Sequence, residues 1–183
     1  MIFLFKKCGN EPWKGNICIY NNGQYFYAVQ TPCCMSIEQD INQLKFVSEH
    51  QKAAINILYT GSWLYNINAG FLKKYGITPE QFNVLRILRG QHPKAMMLAE
   101  ITCRMIDKSS NATRLVEKLR LKGMVKREIC EGNRRQVDIS ITEKGLTLLK
   151  KLDADGPGGQ EALKNISKTD AQELNRILDK LRG

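Results

Sequence analysis

At Gly123 the apolar period of this chain changes, and that change limits the fold more than any other feature. Before it, Ala112, Leu115, Val116 and Leu119 recur at i, i+3, i+4 and i+7, which predicts one stripe of an amphipathic helix over Ser109 to Lys122. After it, Val125 and Ile129 alternate with Lys126, Glu128 and Cys130, and Val137, Ile139 and Ile141 alternate with Asp138, Ser140 and Thr142. A period of two is the pattern of a half-buried strand. Glu131-Gly132-Asn133-Arg134-Arg135-Gln136 lies between these runs and reads as a polar turn. Gly123 itself suits the position after a helix end. A helix is therefore followed directly by a β-hairpin.

The segments around this switch are helical. Thr78 is a good N-cap, Pro79 suits the first helical position, and Gln81 three residues on completes a capping box. Ile77 can staple onto Phe82, and Phe82, Leu85 and Leu88 continue the face until His92-Pro93 breaks it. A short helix is expected from Met97 to Met105, with Leu98, Ile101 and Met105 inward and a turn near Ile106-Asp107-Lys108. Thr142-Glu143-Lys144-Gly145 opens another helix through Leu149 and Leu152. The breaker Gly156-Pro157-Gly158-Gly159 follows. A last helix starts near Ser167 or Thr169, carrying Leu174, Ile177, Leu178 and Leu181 on one face.

Upstream, Ser36 to Tyr75 reads as helical, with Ile37, Ile41, Leu44 and Ser48 at helical spacing, Ile55 and Leu58 beyond them, and Gly61 and Gly70 as candidate points of bending or interruption. A helix that long must bury its stripe, and a partner subunit is one candidate. The first 34 residues differ: they are rich in aromatics, glycine and cysteine and hold no sustained helical period. Asn16 to Val29 suits a small hairpin turning at Asn21-Asn22-Gly23. We expect Met35 to be the natural start and residues 1–34 to be translated upstream sequence.

The fold class expected is mainly α with a small β-wing: a winged helix-turn-helix domain at 76–152, flanked by a helical arm at 35–75 and a linker and C-terminal helix at 153–183. Charge agrees with that layout. The net charge is +10. Sixteen cationic residues against seven acidic ones between Arg86 and Lys151 place +9 of it in about a third of the chain. A localised excess points to a polyanion more strongly than a diffuse one. The six cysteines form no CxxC pair, so neither a metal site nor a cofactor is expected. His50 and His92 are the only histidines, and no P-loop, GxSxG or HExxH motif occurs, which argues against an enzyme. No apolar run approaches the roughly 20 residues of a membrane span, and no secretory h-region is present, so the expected compartment is the cytoplasm.

The helix from Ser109 is a candidate reader of duplex DNA, because a major groove about 12 Å wide admits one helix. Opposite its apolar stripe it offers Ser110, Asn111, Arg114, Lys118 and Lys122, with Thr113 flanking. Arg114 suits guanine and Asn111 adenine, through paired hydrogen bonds. Lys108, Ser109 and Ser110 suit phosphates near the helix start. Arg134 and Arg135, at the hairpin tip, suit the narrow minor groove. A solvated surface helix explains the first set alone; the arginine pair behind it favours the nucleic-acid reading. A winged-helix module that contacts an acidic protein or RNA is the alternative.

Residues 76–152 resemble the multiple antibiotic resistance regulator (MarR) family. The resemblance rests on Ile77 to Phe82, Leu98 to Ile101, Asp107 to Leu119, Lys122 to Val125 and Ile141 to Gly145, in that order. It is weaker over 36–75 and 160–183 and covers nothing before Met35. It implies a homodimer joined by its first and last helices, usually a repressor on an inverted repeat of double-stranded DNA, released by a small aromatic effector in many members. Trp63, Tyr65, Phe71 and Tyr75 are candidates to line such a pocket, although aromatics at helical spacing are more often plain core. The family's wing usually reads Asp-Arg-Arg, where this chain has Asn133-Arg134-Arg135. Some members sense oxidants through a first-helix cysteine, which residues 36–75 lack.

Overall fold

The computed structural model describes residues 18–21, 24–27, 36–130, 133–156 and 162–183; the side chains of 18–21, 24–27, 129, 130 and 133–136 lie outside the described part. The expected turn residues Asn22-Gly23, the candidate start Met35 and the breaker residues Pro157 to Gly159 also fall outside it. The chain divides into two compact units, residues 1–56 and 57–183.

In the first unit, β1 (Cys18–Asn21) and β2 (Gln24–Tyr27) pair antiparallel, the hairpin anticipated from the turn signal. The continuous helix expected from Ser36 is corrected. One turn, α1 (Ile37–Asp40), ends at Ile41, and Asn42 turns left-handed at φ 53°. A new start then follows: Ser48 Oγ accepts from Gln51 N, while Gln51 Oε1 accepts from Val47 N. That pair is a local cap, and its Ser-x-x-Gln signature stands in the sequence. It opens α2 (Glu49–Lys73), which continues into the second unit. Lys52 on α2 pairs with Glu38 at 2.5 Å.

The second unit is built from capped segments packed on one sheet. Thr78 and Gln81 form the capping box of α3 (Pro79–Gln91), whose Val84, Leu85 and Leu88 are buried. Met96–Met97 is a short strand, β3, absent from the sequence reading, and α4 (Leu98–Arg104) follows it at once. Two residues carry too little pattern to be recognised; they are a strand because β5 (Asn133–Ile141) offers an open edge. The sheet order is β3-β5-β4, with β4 (Val125–Cys130) on the far side. Between β3 and β4 in sequence stands α5 (Ala112–Leu121), which buries Ala112, Val116 and Leu119. Gly123, at φ +70°, closes it. Left-handed backbone there costs glycine nothing, because glycine has no Cβ to clash.

After the hairpin, Thr142 caps α6 (Glu143–Ala154) by accepting from Gly145 N. Ser167 and Asp170 form the capping box of the last helix, α7 (Lys168–Arg182). The core joins Leu72, Ile77, Val84, Leu85, Leu88, Met96, Ile101, Val116, Leu119, Ile139, Ile141, Leu149 and Leu152. Helix, helix, helix, hairpin and helix thus close on one apolar cluster, as the period switch predicts. The exposed faces are informative too: Leu174, Ile177 and Leu181 of α7 and Leu58 and Trp63 of α2 remain open to solvent. Among the described residues no helix is long and apolar enough to cross a membrane.

Candidate nucleic-acid interface

The candidate reading helix begins later than its apolar stripe suggests. Asp107 holds the preceding turn: its carboxylate accepts from Ser109 N at 2.9 Å, Ser109 Oγ at 2.6 Å and Ser110 Oγ at 2.7 Å. Those bonds keep the Asp107 carboxyl below its ordinary range. Short polar side chains that bond nearby backbone compete with helix, which keeps 107–110 out of it. Asn111 then takes the N-cap and accepts from Arg114 N at 3.0 Å. The helix expected from Ser109 therefore starts at Ala112. Ser109 and Ser110 stand in the turn with their hydroxyl protons given to Asp107. Asn111 has its amide oxygen committed to the cap, leaving its amino group as donor.

Past the cap, the face is as expected. Thr113, Arg114 and Lys118 are exposed on α5, opposite the buried Ala112, Val116 and Leu119. Lys108 is exposed in the turn before it. Arg114 and Lys118 are four residues apart, about one turn, so their charges share one side. Arg120 is also exposed but is engaged by Glu117 in a two-bond pair at 2.8 and 3.0 Å.

Lys122 departs from the expected face. Its Nζ donates to Gly76 O at 2.6 Å and to Gln81 Oε1 at 3.1 Å, so its charge turns back to the start of α3.

The wing also differs in its details. Asn133 pairs with Cys130, so β5 already includes residues that the composition assigned to the polar turn. The next pair is Ile129 with Val137. One step on β4 thus faces four on β5, so the register shifts there as a bulge that takes in Arg134, Arg135 and Gln136. Bulges re-aim a strand locally. The side chains of both arginines lie outside the described part.

The four aromatics have distinct settings. Phe71 and Tyr75 pack on the core with ring centroids 5.4 Å apart. The Tyr75 hydroxyl donates to Asp155, which raises its pKa above the ordinary phenol value. The Tyr65 hydroxyl donates to Glu80 at 2.8 Å, with the same direction of shift. Trp63 is exposed. Phe71 and Tyr75 thus belong to the edge of the core, whereas Trp63 and Tyr65 expose ring surface.

Residues 77–137 match the MarR family model. The transcriptional repressor MprA of Escherichia coli (strain K12) is 30% identical over 81 residues, 44% of this chain and 46% of MprA. The chain thus spans about half the length of that relative. The HTH-type transcriptional regulator MgrA of Staphylococcus aureus is 28% identical over 109 residues, 60% of this chain and 72% of MgrA. Among solved structures, a MarR transcription factor from Planctomyces limnophilus is 29% identical with a TM-score of 0.58, covering 74% of this chain and 98% of that one. A mutant Escherichia coli MarR, solved with operator DNA, shares the fold at a TM-score of 0.65 and 21% identity, over 75% and 98% of the two chains. The capped helices, the three-stranded sheet order and these likenesses converge: residues 77–137 carry a MarR-family segment, and the fold is that of MarR-type winged-helix proteins.

Proposed function

We propose that this chain is a transcription regulator that binds double-stranded DNA sequence-specifically as a homodimer, and that it represses. The observation that carries the reading is the exposed Arg114–Lys118 side of α5, held outward by the burial of Ala112, Val116 and Leu119. In this reading Arg114 contacts a base edge, and Asn111 offers only its amino group. Thr113, Lys118 and Lys108 contact the backbone together with the turn at Ser109 and Ser110, and Arg134 and Arg135 enter the minor groove. The exposed apolar residues of α2 and α7 support a second copy as the partner. The operator-bound MarR structure of the same fold supports a duplex-DNA partner, and the repressor name of MprA supports the direction of regulation. Exposed ring surface at Trp63 and Tyr65 is where a small aromatic effector would act.

Selection from a random duplex pool tests this, followed by titration of the winning site over a range of salt. A dimer enriches an inverted repeat with half-sites about 10 bp apart, and affinity falls steeply with salt. Enrichment of no sequence, or equal binding to single-stranded RNA, refutes the reading in favour of an interaction module. Sedimentation equilibrium at micromolar protein gives the dimer independently.

A further inference from the structure

Gln81 is the polar exception in the core. Among the described residues it is the one buried polar side chain, only 2% exposed. Its Oε1 accepts twice: from Thr78 N at 3.2 Å, completing the cap of α3, and from Lys122 Nζ at 3.1 Å. Lys122 Nζ also reaches Gly76 O at 2.6 Å. Gly76 lies in the short turn between the end of α2 and the cap of α3. The other end of Lys122 is held as well, because its carbonyl accepts from Lys144 Nζ at 2.7 Å. The adjoining Gly123 carbonyl accepts from Thr142 Oγ1 at 2.8 Å.

The carbonyls at the end of α5 are thus tied to the start of α6, and the ammonium of its C-cap residue is tied to the junction of α2 and α3. A buried acceptor that loses its donor is costly, which makes this node stiff.

We infer that Lys122 and Gln81 form a positioning pair that sets the orientation of α5, and with it specific duplex affinity, without touching DNA. The pair also links α5 to the α2–α3 turn. This rests on the DNA-binding reading above for its effect on affinity, but not for its mechanical content. A lysine spent on phosphate contributes mainly sequence-independent affinity and about one unit of salt dependence. A lysine that aims a helix contributes to the difference between the right and the wrong sequence.

The test uses the full chain and a duplex selected by the wild type from a random pool. Lys122→Met removes the ammonium, and Gln81→Met removes its acceptor without changing net charge. Each is expected to weaken the selected duplex about tenfold, the scale of one charge-assisted hydrogen bond. Random duplex and the salt slope stay unchanged for Gln81→Met. The double variant is no weaker than either single one. Gln81→Glu, which keeps both acceptor bonds, restores affinity. Hydrogen exchange on the free variants, with far-UV circular dichroism as the folding control, should show faster amides over residues 118–124. A salt slope reduced by about 0.9 in Lys122→Met, with normal binding by Gln81→Met, overturns the inference in favour of a phosphate contact. Wild-type exchange over 118–124 in both variants overturns it as well. If the wild type selects no duplex, the DNA-binding reading falls, and the exchange data alone decide whether the clamp exists.

Discussion

Gly145 stands where the start of α6 crosses the base of the hairpin, and replacing it by alanine tests the packing that holds the wing. A Cβ built there would lie 2.5 Å from the Met124 carbonyl oxygen and 2.7 Å from Ile141 Cγ1. The first neighbour is backbone, and the Met124 oxygen also accepts from Thr142 N at 3.1 Å, so it cannot retreat without loosening the cap of α6. Overpacking of this kind costs about 1–3 kcal/mol. Alanine returns up to about 1 kcal/mol of helix propensity. The net expectation is a loss of about 1–2 kcal/mol. At roughly 2–4 °C per kcal/mol for a chain of this size, the melting midpoint falls by about 2–8 °C. Gly90 in α3 supplies the control, since a Cβ there meets nothing within 4 Å. Gly90→Ala should therefore stabilise by about 0.5–1 kcal/mol. Both variants are melted by differential scanning calorimetry at one protein concentration, because self-association shifts apparent stability. If Gly145→Ala is as stable as Gly90→Ala, the close approach of α6 to the Met124 carbonyl is wrong.

Arg114→Ala should cost about 1–3 kcal/mol on the selected duplex and relax preference at one base step, read by titrating single-base variants; equal weakening on random duplex argues against base reading. Replacing Arg134 and Arg135 by alanine should lower the salt slope by about 0.9 for each phosphate that is no longer neutralised, and an unchanged slope removes the wing from the interface. In the first unit, hydrogen bonding to Lys52 holds the Glu38 carboxyl down from its ordinary 4.5 to about 2. A depressed carboxylate stabilises the fold above its unfolded pKa, and that contribution is lost as pH falls through the folded value. Carbon-detected NMR titration should place the Glu38 midpoint near 2 and return it toward 4.5 in Lys52→Met.

Interactions between neighbours in sequence are legible without coordinates. Thr78 with Gln81 and Ser167 with Asp170 bond across three residues, and the apolar stripe from Ala112 to Leu119 repeats at the helix's own period. Such features are decided within one or two turns, so composition and spacing reveal them. The switch of period at Gly123 belongs to the same class, and it is enough to place helix before hairpin and to nominate Arg114 and Lys118. Where two local signals compete, spacing alone misleads. Asp107 captures Ser109 and Ser110 and delays α5 to Ala112, and the Ser48–Gln51 cap divides the arm that apolar spacing makes continuous. Other features need partners far along the chain. Met96–Met97 becomes a strand only against Ile139 and Asp138, and the bulge at Arg134 to Gln136 exists only because β4 pairs on either side of it. Lys122 turns from an expected DNA-facing residue into a tether only because Gly76 and Gln81, 46 and 41 residues earlier, meet it in space. Local periodicity carries no record of which distant acceptor a flexible ammonium will find, so that assignment belongs to the tertiary structure.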